Sequence, residues 1–294
     1  MNNRKIKINN VTGNLFLLLL AVTPFISISC EKEVMLDLAD REGLYLIVEG
    51  NIDDTSPEQW IRLSNSSSYY DVSKGLPVRN AIVTVNDGET DFGFTESNVD
   101  SLMGYYINDR IGGELNYGYY NLTIEHEGEI FTARSEYRPV PEIDSITVRL
   151  SFFSLIGLTD EKRYDIYIHF SELQGKGDHY LVDLDISGRL ETARPAQKTV
   201  ISDESLEDYV SLPVATVSED DVREGDILTL KLRSISREQY EFYQIFFFQT
   251  DLSGNPFAGA PPANIPTNLS EGARGFYQVS SVTSASKKFR SRSR

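Results

Sequence analysis

The sequence has one cysteine, one tryptophan, three methionines and three histidines in 294 residues. A lone thiol makes no internal disulfide, no C-x-x-C redox pair and no thiolate-rich zinc site. His126, His169 and His179 stand in no H-E-x-x-H, G-x-S-x-G or cysteine–histidine arrangement, and there is no glycine-rich phosphate loop, so the common hydrolase and nucleotide-binding signatures are missing. Basic residues are also short. Against 44 Asp and Glu stand 28 Lys and Arg, a formal net charge of −16, which argues against a nucleic-acid partner. The longest apolar stretch, Leu15 to Ile28, carries Pro24 and is shorter than the roughly 20 residues that a spanning helix needs.

That stretch has a different meaning. Arg4, Lys5 and Lys7 precede it, and Ser27-Ile28-Ser29-Cys30 closes it, the layout of a secretory signal of lipoprotein type. Residues 1–29 read as a signal peptide and Cys30 as the lipidated first residue of the mature chain. Diacylglycerol with an amide-linked acyl chain anchors stably where one chain is marginal, so the protein is expected to sit on a membrane without spanning it. Without its leader the chain holds 25 basic and 44 acidic residues, about −19. Residues 30–42 form a tether, and residues 285–294 a basic tail with Lys287, Lys288, Arg290, Arg292 and Arg294. The tail reads as a solvated, disordered end or as a patch for anionic lipid or glycan.

Tyr (16) and Phe (15) dominate the aromatics, and short β-rich runs alternate with turn residues, which is the profile of an all-β protein. Leu44 to Gly50, Trp60 to Leu63, Pro77 to Val85, Tyr119 to Ile124 and Ile130 to Ala133 read as strands of an N-terminal sandwich over 43–138. Pro139 and Pro141 break the ladder pattern and place a boundary near Pro141. A C-terminal β-domain over 142–284 follows, with strands at Ile146 to Phe153, Tyr164 to Phe170, Tyr180 to Ile186, Tyr209 to Val214 and Ile227 to Arg233. In the second of these, Tyr164, Ile166, Ile168 and Phe170 share one face.

One helix is expected, at about 237–251. Ser236-Arg237-Glu238-Gln239 fits a capping box in which the Gln side chain reaches back, and Ile235 with Tyr240 fits a hydrophobic staple. Phe242, Tyr243, Ile245, Phe246, Phe247 and Phe248 make the helix apolar nearly all round, which suits a core-packing helix or an aromatic contact for a membrane-protein partner. Beyond it, Gly254 to Leu269 forms a long proline-rich loop. Its Pro256, Phe257, Pro261, Pro262, Asn264 and Pro266 are candidates for a partner or ligand surface, the alternative being a stiff wrap over the helix.

The order Pro77 to Val85, Gly104 to Tyr106, Tyr120 to Ile124 and Gly128 to Ala133 resembles transthyretin-like or carboxypeptidase-regulatory-like modules, which support or bind. Across the mature chain, "C-E-K-E-V-M-L-D-L" from Cys30, "L-Y-L-I-V-E-G-N-I" (Leu44 to Ile52), "P-V-P-E-I-D-S-I" (Pro139 to Ile146), "S-I-S-R-E-Q-Y-E-F-Y" (Ser234 to Tyr243) and "G-N-P-F-A-G-A-P-P-A-N-I-P-T-N-L" (Gly254 to Leu269) resemble the Bacteroidota lipoproteins grouped as domain of unknown function 4249. Ala273-Arg274-Gly275-Phe276-Tyr277 departs from that pattern, as does the basic tail. The resemblance implies an outer-membrane lipoprotein facing the cell exterior, with Glu31, Lys32 and Glu33 as a surface-export signal, often encoded near a TonB-dependent receptor.

Candidate chemistry is sparse. Asp203-Glu204 with Glu207-Asp208, and Glu219-Asp220-Asp221 with Glu224 and Asp226, carry oxygen ligands but not EF-hand spacing, so solvated loops explain them as well as calcium does. Asp100-Ser101-Leu102 and Asp144-Ser145-Ile146 resemble an O-glycosylation acceptor. No catalytic residue, metal site or cofactor is expected. The readings that remain are a non-catalytic accessory or substrate-capture partner of a TonB-dependent receptor, and an envelope-structural or adhesive lipoprotein without a transporter.

Overall fold

The computed structural model describes residues 45–66, 75–113, 115–158, 160–190, 198–251 and 265–291. The chain is all-β, built as two sandwiches with one long packed helix. In the first sandwich the strands are β1 (Leu46–Asp53), β2 (Gln59–Asn65), β3 (Ile82–Asn86), β4 (Asp91–Glu96), β5 (Tyr105–Asn108), β6 (Gly118–His126) and β7 (Glu129–Tyr137). They alternate inward apolar and outward polar residues: β6 buries Tyr120, Leu122 and Ile124, and β7 buries Phe131, Ala133 and Tyr137. The two-residue turn Glu127-Gly128 joins them, with φ of 52° and 84°, the left-handed pair that matches strand twist. Tyr120 Oη accepts from Asn116 N–H at 2.9 Å and donates to Asn116 O at 3.1 Å, tying the chain back just before β6.

The eighth strand of this sheet comes from the far end of the sequence. β15 (Ala273–Ser280) pairs in parallel with β1, Leu46 opposite Ala273 through Asp53 opposite Ser280, and the order is β15-β1-β2-β5-β4-β3-β6-β7. Its two ends fold over one core, because Val279 N–H on β15 donates to Ser135 Oγ on β7 at 2.9 Å and Leu269 bridges Ala133. The sequence boundaries put residues 269–280 with the second domain. The structure puts them in the first core, since parallel pairing to β1 buries Ala273, Tyr277 and Val279 completely.

The second sandwich faces a sheet of β13 (Tyr209–Ser218), β9 (Arg163–Ser171) and β8 (Ile143–Leu150) against a sheet of β11 (Arg189–Leu190), β10 (His179–Ile186), β14 (Ile227–Ile235) and β16 (Val282–Lys288), with β12 (Thr199–Ser202) also on β10. Ile166, Ile168 and Phe170 meet Val182, Leu184, Leu228, Leu230 and Leu232 between the sheets. Two expectations are corrected here. The strand read through Phe153 ends at Leu150, and Phe152–Leu155 is a single helical turn, α1. The basic tail is not a free end from 285: Lys287 and Lys288 lie in β16, Lys287 Nζ donates to Ile146 O at 2.8 Å, and Phe289 is buried edge-on to Tyr164 at 5.0 Å. Apolar cross-strand partners hold this segment despite its charge.

Strand directions set two poles. β1 starts at Tyr45 and ends at Asp53 beside the second sandwich, while β8 starts at the junction and runs outward to Leu150. The N-terminal run of the first core ends at Tyr137, the second core begins at Val140, and Leu269 to Val279 return to the first. The predicted helix is found as α2 (Arg237–Asp251). No helix among the described residues is long and apolar enough to cross a membrane.

Candidate functional site

Of the residues the sequence puts forward, Cys30, Glu31, Lys32, Glu33, Pro256, Phe257, Pro261, Pro262 and Asn264 lie outside the described residues. Pro266 is described, half-buried at the head of a latch between β15 and β7. In that latch Thr267 Oγ1 donates to Gly275 O at 2.7 Å, Asn268 Nδ2 donates to Tyr277 O at 2.6 Å, and Ser270 N–H donates to Thr132 O at 2.8 Å. This end of the loop is spent on the fold.

Four carboxylates of the acidic clusters, Asp203, Asp221, Glu224 and Asp226, are spent likewise. Asp203 is fully buried and both its oxygens accept from Gly177 N–H at 2.9 Å, fixing the loop before β10. Asp221 holds Ser218 Oγ at 2.8 Å, and Glu224 accepts from Ser291 N–H at 2.6 Å. Asp226 is kept below its usual value by the Arg223 N–H and then by the Ser187 hydroxyl. Among the described residues no group of three or more His, Cys, Asp or Glu is placed to hold a metal ion. His169 packs on Tyr209 and pairs its Nε2 with Thr147 Oγ1 at 2.8 Å; His179 lies buried against Tyr240, ring centroids 4.8 Å apart. Ser101 and Ser145 are both exposed.

Charge gathers instead at the junction of the sandwiches. Asp183 of β10 meets Lys198 Nζ through Oδ1 and Arg233 Nε through Oδ2 at 3.4 Å, and Arg233 reaches Asp53 of the first sandwich at 3.2 Å. All four side chains are mostly buried, two positive and two negative, so each charge is compensated. Beside them Asp54 accepts from Tyr137 Oη at 2.8 Å, Ser281 Oγ at 3.0 Å and Val282 N–H at 2.9 Å. Burial, with Asp54 adjacent, pushes the Tyr137 hydroxyl up to about 12. These contacts carry no nucleophile beside a base. They brace the joint.

Helix α2 lies over that joint. Ser236 Oγ accepts from Gln239 N–H at 3.2 Å, the first half of the expected capping box, but Gln239 Oε1 has no hydrogen-bond partner among the described residues, so the reciprocal half is not made. Phe242 rests on Phe276 of β15 at 5.6 Å, while the start of the helix covers β10 and β12. Phe242, Tyr243, Ile245, Phe246 and Phe247 are all half-buried. The Tyr243 hydroxyl is pushed up to about 12 by burial and then by Asp183. Between α2 and β12 lies an open polar recess of about 320 Å3 lined by His179, Ser202, Glu204, Arg237, Tyr240 and Glu241, among others. Arg237 pairs with Glu241 at 3.0 Å, and Glu204 adds a second carboxylate to the lining.

Two exposed apolar surfaces were not singled out from sequence. On the outer face of β2 and β5, Trp60 (40% exposed) packs on Tyr105 at 5.2 Å, with Arg62 over Tyr105 and bonded to Glu49. At the outer pole, Phe152, Phe153, Leu155, Ile156 and Leu158 are 63, 58, 65, 50 and 68% exposed. The signal for the second was present. Phe152 to Leu158 is an apolar run without period two, interrupted by Ser154 and Gly157, which a buried strand does not require.

The model of the family described as "Domain of unknown function (DUF4249)" matches residues 31–286. The chain belongs to this family. The DUF4249 match runs through both sandwiches, α2 and the proline-rich loop, so it takes the body as one unit, consistent with β15 closing the first sheet. A search of the curated proteins found no match. Among solved structures the chicken CNTN1 FN1-FN3 domains are 13% identical, with a TM-score of 0.24; the alignment covers 65% of this chain and 60% of theirs, so the chain spans less than two thirds of that fragment. A cytokine receptor complex is 12% identical with a TM-score of 0.23, covering 66% of this chain and 86% of the other. These two structural likenesses carry no functional argument.

Proposed function

We propose that this chain is a lipid-anchored protein of the bacterial outer membrane, of Bacteroidota type, exposed at the cell surface, which acts without catalysis as an accessory or substrate-capture partner of a TonB-dependent receptor. The observation that carries this reading is Cys30, a lone cysteine placed directly behind a basic and then apolar leader. Lipid on Cys30 explains why a single thiol is present, and Glu31, Lys32 and Glu33 behind it supply the export signal that the family resemblance implies. The braced pair of sandwiches supports a scaffolding or capturing role, since Asp183, Asp54 and Asp203 are engaged in holding its shape.

A second reading, an adhesive or envelope-structural lipoprotein, is favoured by one feature. The Trp60 and Tyr105 rings, with Arg62 and Glu49 alongside, form an exposed aromatic face of the kind that contacts sugars. The two readings part in a gentle detergent pull-down of the tagged, Cys30-intact protein from native outer membranes, with mass spectrometry of what accompanies it. The accessory reading expects a stoichiometric TonB-dependent receptor, and a Cys30→Ala chain that leaves the membrane fraction. A membrane-bound protein that comes down alone overturns it in favour of the adhesive reading.

A further inference from the structure

The outer pole inverts the usual arrangement of a loop. In Ser151 to Leu158 the polar side chains turn inward: Ser151 is buried, and Ser154 Oγ donates to Glu161 O at 3.2 Å and accepts from Arg163 N–H at 2.9 Å. The backbone is satisfied locally, by Leu155 N–H to Ser151 O at 2.9 Å, Ile156 N–H to Phe152 O at 3.1 Å and Leu158 N–H to Phe153 O at 2.9 Å. Five large apolar side chains are thereby held out in water. Together they present on the order of 500 Å2 of apolar surface, as large as the largest patch that monomeric proteins usually show. A loop that merely joins two strands gains nothing from this. A docking knob does, because its shape is fixed before the partner arrives and less entropy is lost on binding.

We infer that Phe152–Leu158 docks into an apolar recess with a basic rim on a partner protein. Charge and position select that occupant. Around the knob lie Asp160, Glu161, Glu219, Asp220 and Asp221 against Lys162, Arg163 and Arg189. The 219–221 turn is brought beside the knob by Glu219 N–H to Lys162 O at 2.9 Å, and Arg189 joins it by bonding Asp221 O at 2.6 Å. The rim is net acidic, so a second copy of the chain or an anionic lipid surface meets like charge, whereas a basic rim is attracted. β1 runs from Tyr45 toward the junction and β8 from the junction outward to Leu150, so the knob lies at the far end of the second sandwich. The inference rests on the accessory reading only for which protein the partner is.

The experiment places a photo-crosslinking amino acid at Phe153, and separately at Trp60, in the full-length chain in its native cells. The crosslinked protein is then identified, purified and titrated. Expected are a discrete adduct from position 153 and none from 60, and at least tenfold weaker binding for Phe153→Ser/Leu155→Ser. A second variant, Asp160→Lys/Asp220→Lys, leaves the apolar residues in place and is expected to slow association and to flatten its salt dependence. Flotation of the wild type with anionic phosphatidylglycerol vesicles, lost in the Ser variant, overturns the inference in favour of lipid. A concentration-dependent dimer lost in the same variant overturns it in favour of a second copy. No adduct from position 153 also overturns it. If a receptor is captured in the pull-down but neither variant affects it, the accessory reading stands and the knob falls; if the adduct from 153 is another protein whose binding both variants weaken, the reverse holds.

Discussion

His169 was one of three histidines available for chemistry, and its surroundings give it a structural role. Burial holds its imidazole below the ordinary value, and the positive charges of Arg149 and Lys287 push the same way while Asp144 opposes them. The unfolded chain therefore takes up its proton first. Stability from this group is complete above about pH 6.5 and is lost as pH falls from there toward the folded value. Denaturant midpoints measured from pH 7.5 to 5 should fall less steeply in His169→Gln than in the wild type; superimposable slopes would remove His169 from the pH response. Its face was legible, because it alternates with Ile166, Ile168 and Phe170. Its cover was not, because Tyr209 and Thr147 reach it from strands 40 and 22 residues away.

At the scale of elements, what could be read depended on where the information lay. Helix α2 was readable from local signals, a Ser cap and a dense aromatic run, and it spans Arg237–Asp251 as expected. Strand β15 was not. Gly275 and its neighbours look like part of a glycine-containing loop, and only pairing to β1 makes them a strand. There Gly275 has φ of 103°, and a Cβ on it would lie 2.1 Å from Val48 O, a backbone atom that cannot step aside. Gly275→Ala should therefore cost about 2 kcal/mol or more by combining an unfavourable φ with a backbone clash. Chemical denaturation measures the loss, and a change within about 0.5 kcal/mol would mean that β15 does not approach β1 so closely. Phe152 and Phe153 were misread as the end of a strand for the complementary reason: they have the composition of a core but the structure gives them no core to fill.

At the scale of the whole molecule, the stiffness of the joint rests on few groups. Asp54 collects three donors, from Tyr137, Ser281 and Val282, and so ties the end of β1 to β7 and to the start of β16. Losing a carboxylate that accepts three bonds in a partly buried site should cost about 3 kcal/mol. In calorimetry the wild type should unfold in one transition, and Asp54→Ala should lower it and separate the two sandwiches; one transition at an unchanged temperature in the variant would show that the joint does not depend on Asp54. The proposed anchor is the converse case, since that reading rests on Cys30 and the residues before it and not on the body. By itself, then, the sequence determined what local order can encode: a β-rich chain, a capped aromatic helix, a paucity of familiar catalytic signatures and a basic, then apolar, segment ending on cysteine. Tertiary structure alone decided which strand closes the first sheet, how Arg233 bridges Asp53 and Asp183, and that Phe152–Leu158 stands in water. Those depend on contacts between residues far apart in the chain, and a pattern of neighbouring residues holds no record of what a distant segment will cover or leave exposed.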